Sequence, residues 1–339
     1  MDMNKRSVHR GLRRLSLVAA ASALMLTLGA CSSATAPANE SEGSGYPERP
    51  VQFVVGFNAG GALDLAAREL VKDLPEEFRQ SVVVNQAGDG GVIAASDVFG
   101  SPADGYKAYF GSIAALAIQP WRSGTDVPYG GPEDYTPVAN VLSFPQVLAV
   151  PADAPYDTPQ EFVDYAREHP GKVRIGTGGA GTLPDIALQQ MIRELNLDIT
   201  DVPFQGFAQS VPALLSGSIE GIISSPADVA QHVEAGNLKV LGSFNADPIA
   251  SMPDVESFTT AGMDYTQDNY YFVALPPDAP KEVVDKLASA VEEAVGTDEF
   301  KTWADQVGAT VQFQDAEELG ARLQDDYDRY EQIVSDLGL

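Results

Sequence analysis

Cysteine is nearly missing from this sequence. Cys31 is the only one in 339 residues, which excludes an internal disulfide. Histidine is scarce too: His9, His169 and His232 are the full set, too few to build a His/Cys metal centre. Positive charge is thin, with 21 Lys+Arg against 48 Asp+Glu. That balance excludes nucleic-acid binding through phosphates, which needs clustered Lys and Arg. It also removes long-range attraction for an anionic ligand, so an anion site would have to be built locally. Beyond the first 30 residues no apolar run approaches the ~20 residues of a bilayer span. Catalytic motifs are missing in the same way. There is no Gly-x-Ser-x-Gly elbow, no Gly-Lys-Ser/Thr phosphate loop and no dinucleotide fingerprint. Carboxylates are plentiful, but no pair stands out as an acid–base couple.

What is present begins with an export signal, residues 1–30. Lys5, Arg6, Arg10, Arg13 and Arg14 form a basic start, and Leu15–Leu28 is an apolar run too short to span a bilayer. It ends in Leu28-Gly29-Ala30-Cys31, similar to the lipobox at which a bacterial signal peptide is cut and its Cys diacylated. Lipidation is therefore expected at Cys31. Arg13-Arg14 hints at twin-arginine export, but the flanking residues fit poorly. Residues 31–45 are small and polar and read as a flexible tether. The expected location is outside the cytoplasm, on the outer face of the cell membrane or in a periplasm, with membrane contact through Cys31 alone.

The remainder is organised around Val51–Leu70. Val51–Phe57 reads as a buried strand, Asn58–Leu63 as a glycine-bearing loop, and a helix opens near Asp64. A strand turning through glycines into a helix gathers unpaired backbone N–H groups and the positive end of the helix dipole, an anion cradle without cationic side chains. The pattern recurs. Strand Ser81–Asn85, loop Gln86–Gly91 and helix Val92–Phe99 follow it. So do strand Lys172–Gly176, loop Thr177–Thr182 and helix Pro184–Asn196, and strand Val202–Phe204 with a loop before Gln209–Ser216. Lys107–Gly111, Val147–Pro151, Gly221–Ser225, Lys239–Ser243 and Tyr270–Leu275 read as further strands. Thr158–Glu168, Pro280–Val295, Asp298–Val307 and Ala316–Leu337 read as helices, and Trp121–Pro137 as loop. This alternation predicts an α/β fold of mixed, mostly parallel sheets flanked by helices, with ligands beyond the carboxyl ends of the strands.

Each candidate residue also has a plainer reading. Gly60 and Gly61 are turn glycines whose place at a strand's carboxyl end favours ligand contact. Asp64 reads as a helix N-cap that could instead accept a hydrogen bond from a ligand. Thr177 and Thr182 offer hydroxyls in a glycine loop, and Gln205 offers an amide to a carboxylate. Phe57 fits core or cleft wall equally, and Tyr270 and Tyr271 fit a packed hinge strand. His169 reads as a helix C-cap and His232 as a surface residue. The acidic faces of the last helices read as solvated surface.

Taken together, these segments carry a resemblance. Tyr46-Pro47-x-Arg49-Pro50-Val51, Val54-Val55-Gly56-Phe57-x-x-Gly60-Gly61-x-x-Asp64, Asn85-x-x-Gly88-x-Gly90-Gly91 and Pro102-x-Asp104-Gly105-Tyr106 stand in one order and spacing. They continue with Gly176-Thr177-x-Gly179-x-Gly181-Thr182, Val202-Pro203-Phe204-x-Gly206 and Pro276-x-x-Ala279-Pro280-Lys281. The run resembles the TctC/Bug family of solute receptors of tripartite tricarboxylate transporters, across nearly all of Tyr46–Leu339. The resemblance implies a two-lobed flytrap, with lobe one at 46–145 plus 269–339 and lobe two at 146–268. It implies a binding protein, not an enzyme, that captures a small di- or tricarboxylate or related organic acid and delivers it to integral-membrane permease subunits. It implies ligand contacts from Phe57, Asn58, Gly60, Gly61, Ala62 and Asp64, from Thr177, Gly179, Gly181 and Thr182, and from Phe204 and Gln205. A monomer without cofactor, metal or nucleic acid is expected. The departures are Asn58 and Ala59 before the paired glycines, Leu63 before Asp64, Asp185 in place of a frequent His, and Glu220 in place of a frequent Asp; Leu63 and Asp185 bear on the size and charge of the cleft. An α/β enzyme acting on a small carboxylate, or a receptor of this fold used as a sensor, are the alternative readings.

Overall fold

The computed structural model describes residues 45–245, 248–249 and 252–339. The signal segment, Cys31 and the tether up to residue 44 lie outside the described residues. Gly43–Leu339 forms one compact unit. None of its described helices is long and apolar enough to cross a membrane.

The chain forms two mixed sheets flanked by helices. The first contains β1 (Gln52–Val55), β2 (Val82–Asn85), β3 (Lys107–Gly111), β4 (Thr136–Phe144), β10 (Asn269–Leu275) and β11 (Thr310–Gln314), in the spatial order β11-β4-β10-β3-β1-β2. The second contains β5 (Val147–Pro151), β6 (Val173–Thr177), β7 (Ile199–Pro203), β8 (Gly221–Ser224) and β9 (Leu238–Ser243), in the order β7-β6-β8-β5-β9. β1 runs parallel to both its neighbours, with Val54 opposite Val84 and Tyr109. β6 likewise lies parallel between β7 and β8. The antiparallel strands β4, β10, β5 and β9 lie to one side of these parallel cores and carry the chain between sheets. It crosses from β4 to β5 through Pro145 and Gln146, and returns to β10 over residues 244–268.

Local sequence accounts for most of these elements. In β1 three of four residues are fully buried, as a central strand covered on both faces requires. In α1 (Ala62–Asp73), residues Ala62, Leu63, Ala66, Ala67 and Leu70 form one buried stripe. The helix stops at Leu74 because Pro75 pushes the preceding residue into an extended conformation. In α3 (Pro159–Glu168) the Thr158 hydroxyl accepts the Glu161 N–H at 3.2 Å, while Glu161 turns back to the Asp157 N–H at 2.7 Å rather than to Thr158. His169 closes α3, its ring stacked 4.1 Å from that of Tyr165. α2 (Val92–Phe99) and α9 (Ala316–Leu337) have the ends read from the sequence.

Some elements depart from the sequence reading. β4 and β11 were not expected, nor was the buried π-helical turn Ala114–Ile118. β4 holds Pro137 and the fully buried Asn140, which break its apolar pattern; Asn140 Nδ2 is satisfied by the Gln312 carbonyl of β11 at 2.6 Å. Three apolar clusters form the core, and the first joins residues of both sheets, including Val54, Tyr109, Leu148 and Ile175.

Candidate functional site

Four helices begin at one place. α1 and α4 (Leu183–Leu195) meet α5 (Phe207–Leu215) and α6 (Pro226–Glu234) around a cavity of about 60 Å³, room for roughly four to six water molecules. The lining includes Gly61–Asp64 at α1, Gly178 and Thr182–Pro184 at α4, Gly206 and Phe207 at α5, and Ser225 and Asp228 at α6. Phe57, Asn58, Ser112, Ala114, Gln146, Asn269 and Tyr271 complete it. The first four N–H groups of a helix have no partner within it, and each N-terminus carries roughly half a positive charge. Among the described residues, no Lys, Arg or His lines the cavity.

The starts are set by residues that leave the helical conformation just before it begins. Gly61 caps α1 in an extended conformation, and Gly206 caps α5 with φ +113°, a region that suits glycine. Thr182 precedes α4, and Ser225 forms a capping box with Asp228 at α6. Pro184 and Pro226 stand in first turns, where no N–H is required.

Of the residues expected at the site, Phe57, Asn58, Gly61, Ala62, Asp64 and Thr182 line the cavity. Asn58 Nδ2 reaches across to the Gln205 carbonyl at 2.6 Å, and Gln205 itself is exposed and outside the cavity lining. Gly60 lines an adjoining groove with Phe207, Asp228 and His232. Thr177 is fully buried behind the loop and donates to Asp201 Oδ1 at 3.0 Å. Gly179 accepts the Thr182 hydroxyl at 2.7 Å, and Gly181 N–H donates to Asp185 at 2.6 Å. Phe204 packs beneath Gly176 in the third apolar cluster. Asp64 is not the N-cap: α1 starts two residues earlier. From the first turn its carboxylate accepts the Gly60 N–H and Asn85 Nδ2, each at 2.9 Å, and pairs with Arg68 at 2.9 Å. Tyr270 is packed as expected, with Arg322 over its ring at 3.5 Å, whereas Tyr271 faces the cavity.

The carboxylates differ in charge environment. Burial would raise Asp64, but its bonds to Arg68, Gly60 and Asn85 bring it below the ordinary range. Asp185 is raised by burial despite the Gly181 N–H and Gln189. Asp201 is pushed up to about 6, by burial first and then by the Asp185 charge. Asp228 is also pushed up to about 6 by burial, although it accepts the Ala62 N–H at 3.0 Å and the Ser225 N–H at 3.1 Å.

Sequence reasoning missed the contributions of α6 and of Gln146, Asn269 and Tyr271. Ser225-Pro226-Ala227-Asp228 carries the Ser-x-x-acid spacing of a capping box and could have marked α6. Gln146 and Asn269 lie where the chain passes between sheets, a placement that pairing over long sequence distances decides.

A family model for the tripartite tricarboxylate transporter family receptor, TctC, matches residues 66–339. A protein of Cupriavidus necator described as a UPF0065 protein in the gbd 5' region is 28% identical over 293 residues, 86% of this chain and 85% of its own. Among solved structures, R. palustris Rpa4515 with adipate superposes with a TM-score of 0.81 at 26% identity, covering 86% of this chain and 98% of that one. MatC from Rhodopseudomonas palustris with bound malate superposes with a TM-score of 0.79 at 25% identity, covering 85% and 100%.

Proposed function

Because this chain belongs to the tripartite tricarboxylate transporter receptor family, TctC, a family of solute-binding receptors and not of enzymes, we propose that it captures a small organic acid between two lobes and hands it to membrane permease subunits. The observation that carries this reading is the meeting of four helix N-termini at a cavity with no cationic side chain in its lining among the described residues. Backbone N–H groups then stabilise the ligand's carboxylate, as a helix N-terminus does for any anion. The malate and adipate bound by two similar proteins support a carboxylate as the class.

The lobes run over 46–145 with 269–339 and over 146–268, hinged near Gln146 and ahead of Asn269. Phe57, Asn58, Gly61, Ala62, Asp64 and Thr182 serve as ligand contacts, with Gly60, Thr177, Gly179, Gly181, Phe204 and Gln205 shaping the loops that hold them. Cys31 carries lipid and tethers a monomeric body to the outer face of the membrane. Closure follows from a ligand that touches both lobes, since only differential affinity for the closed state shifts the equilibrium. Isothermal titration of the exported chain against mono-, di- and tricarboxylates is expected to give saturable one-to-one binding with at least one of them. Saturable binding of a sugar or an inorganic cation with no response to any carboxylate overturns the reading.

A further inference from the structure

One part of the cavity lining is not built for a second carboxylate. Asp228 lines it with no cationic partner among the described residues; its contacts there are the N–H groups of Ala62 and Ser225 and the Ser225 side chain. A carboxylate has about four lone-pair positions, so acceptor capacity is left over. Two side-chain amides line the same cavity with their carbonyl oxygens unpaired: Gln146 Oε1, in a residue 2% exposed, and Asn269 Oδ1, in a residue 6% exposed. The Tyr271 hydroxyl lies beside Ser225 and Asn269 and within the field of Asp228. Asp64, the other carboxylate of the lining, is already balanced by Arg68.

Buried acceptors without donors are costly, and an uncompensated buried carboxylate more so. A dicarboxylate would add two negative charges to a cavity that already holds one carboxylate with no cationic side-chain partner among the described residues. An ammonium group would reverse the account: it carries three donors and a positive charge, against one carboxylate and two orphan carbonyls. The rest of the lining, with Phe57, Leu63, Ala114, Leu183, Pro184 and Phe207, suits a short apolar connection.

We infer that the ligand is a small zwitterion, a carboxylate joined to a protonated amine, with the carboxylate at the helix N-termini and the amine on Asp228, Gln146 and Asn269. The inference rests on the receptor reading above and narrows its ligand. It makes Asp228 the residue that sets specificity.

Matched pairs of ligands test it: aspartate against succinate, glutamate against glutarate, and leucine against 4-methylpentanoate, titrated calorimetrically into the whole exported chain. In at least one pair the amino member is expected to bind roughly tenfold or more tightly, the scale of a hydrogen bond to a charged group. Asp228→Asn is expected to abolish that preference, and Gln146→Leu, which leaves α6 intact, to weaken the amino member more than its deaminated partner. Circular dichroism melting establishes that both variants fold. Deaminated members binding as tightly as their amino partners, or tighter, overturn the inference and leave the receptor reading intact. If no carboxylate of any kind binds, the receptor reading itself fails.

Discussion

Asp64 shows how a carboxylate inside an acidic protein is kept from harming it. Two oxygens take three partners, one of them the Arg68 guanidinium. Asp64→Asn keeps the shape and removes the charge, and it is expected to destabilise the fold by about 1–3 kcal/mol, measured by urea unfolding at pH 7. Its folded pKa is lowered, so its contribution is present above the unfolded value of ~3.9 and is lost as pH falls through the folded one. Asp201 works the other way. Its folded pKa of about 6 lies above the unfolded value, so the folded state holds the extra proton in between, and stability declines as pH rises from ~4 to about 6. Asp201→Asn, whose amide oxygen can still accept from Thr177, is expected to gain roughly 1 kcal/mol at pH 7 and nothing at pH 4. The difference between variant and parent across this range isolates the group from the other carboxylates. Asp64 and Asp201 also mark what sequence can tell about single residues. An acidic residue near a helix start is visible, but whether its oxygens face a cap, a cation or another carboxylate depends on Asn85, Arg68 and Asp185, which the fold brings to it.

Elements that depend on neighbours in sequence were legible, and those that depend on distant partners were not. α1, α2, α7 (Lys281–Gly296) and α9 announce themselves through a spaced apolar stripe, as β1 and β3 do through a short apolar run. β4 and β11 do not, because Pro137, Asn140, Gln312 and Gln314 are tolerated only after the two strands pair with each other. Glycine loops were recognisable as loops, yet which of their residues faces the ligand was not. Gly178 points into the cavity, while Gly181 packs against Gln119 and Arg122. At Gly181, φ is +72°, and an added Cβ would lie 2.4 Å from Arg122 Cδ and 2.5 Å from Gln119 Nε2. Gly217 shares that φ, +73°, but has open space around it. Gly217→Ala is expected to cost roughly 1–2 kcal/mol of stability and to leave ligand affinity alone. Gly181→Ala is expected to cost more and to weaken binding, because Gln119 Nε2 also holds the Ala180 carbonyl across the cleft at 2.8 Å. Urea unfolding and titration of the two variants side by side check this.

At the scale of the molecule, the formal net charge of −27 decides how a guest arrives. Like charges repel over about 10 Å at 0.1 M salt and over less as salt rises. The association rate of a ligand with net negative charge is therefore expected to increase with ionic strength, and that of a neutral zwitterion to stay nearly flat, a contrast stopped-flow fluorescence can read. The bonds Asn58–Gln205, Ala62–Asp228 and Gln119–Ala180 link segments that flank the first sheet to segments that flank the second. Asn58→Ala removes one of them and is expected to raise the ligand dissociation rate by about threefold to tenfold while changing association little.

Gln146 and Asn269 lie at the two passages of the chain between the sheets, which the proposed closure makes its pivots, whereas Ala62 and Asp228 open helices that meet across the cavity and would form its rims. Points near a pivot travel least. A visitor to a gaping molecule would find those two amides already stationed at the floor, and would meet the rims only when they came together. Landing and locking then become successive events, so substitutions at Gln146 and Asn269 should alter which visitors are admitted, whereas substitutions at Asp228, met last, should alter both the choice of visitor and the length of its stay.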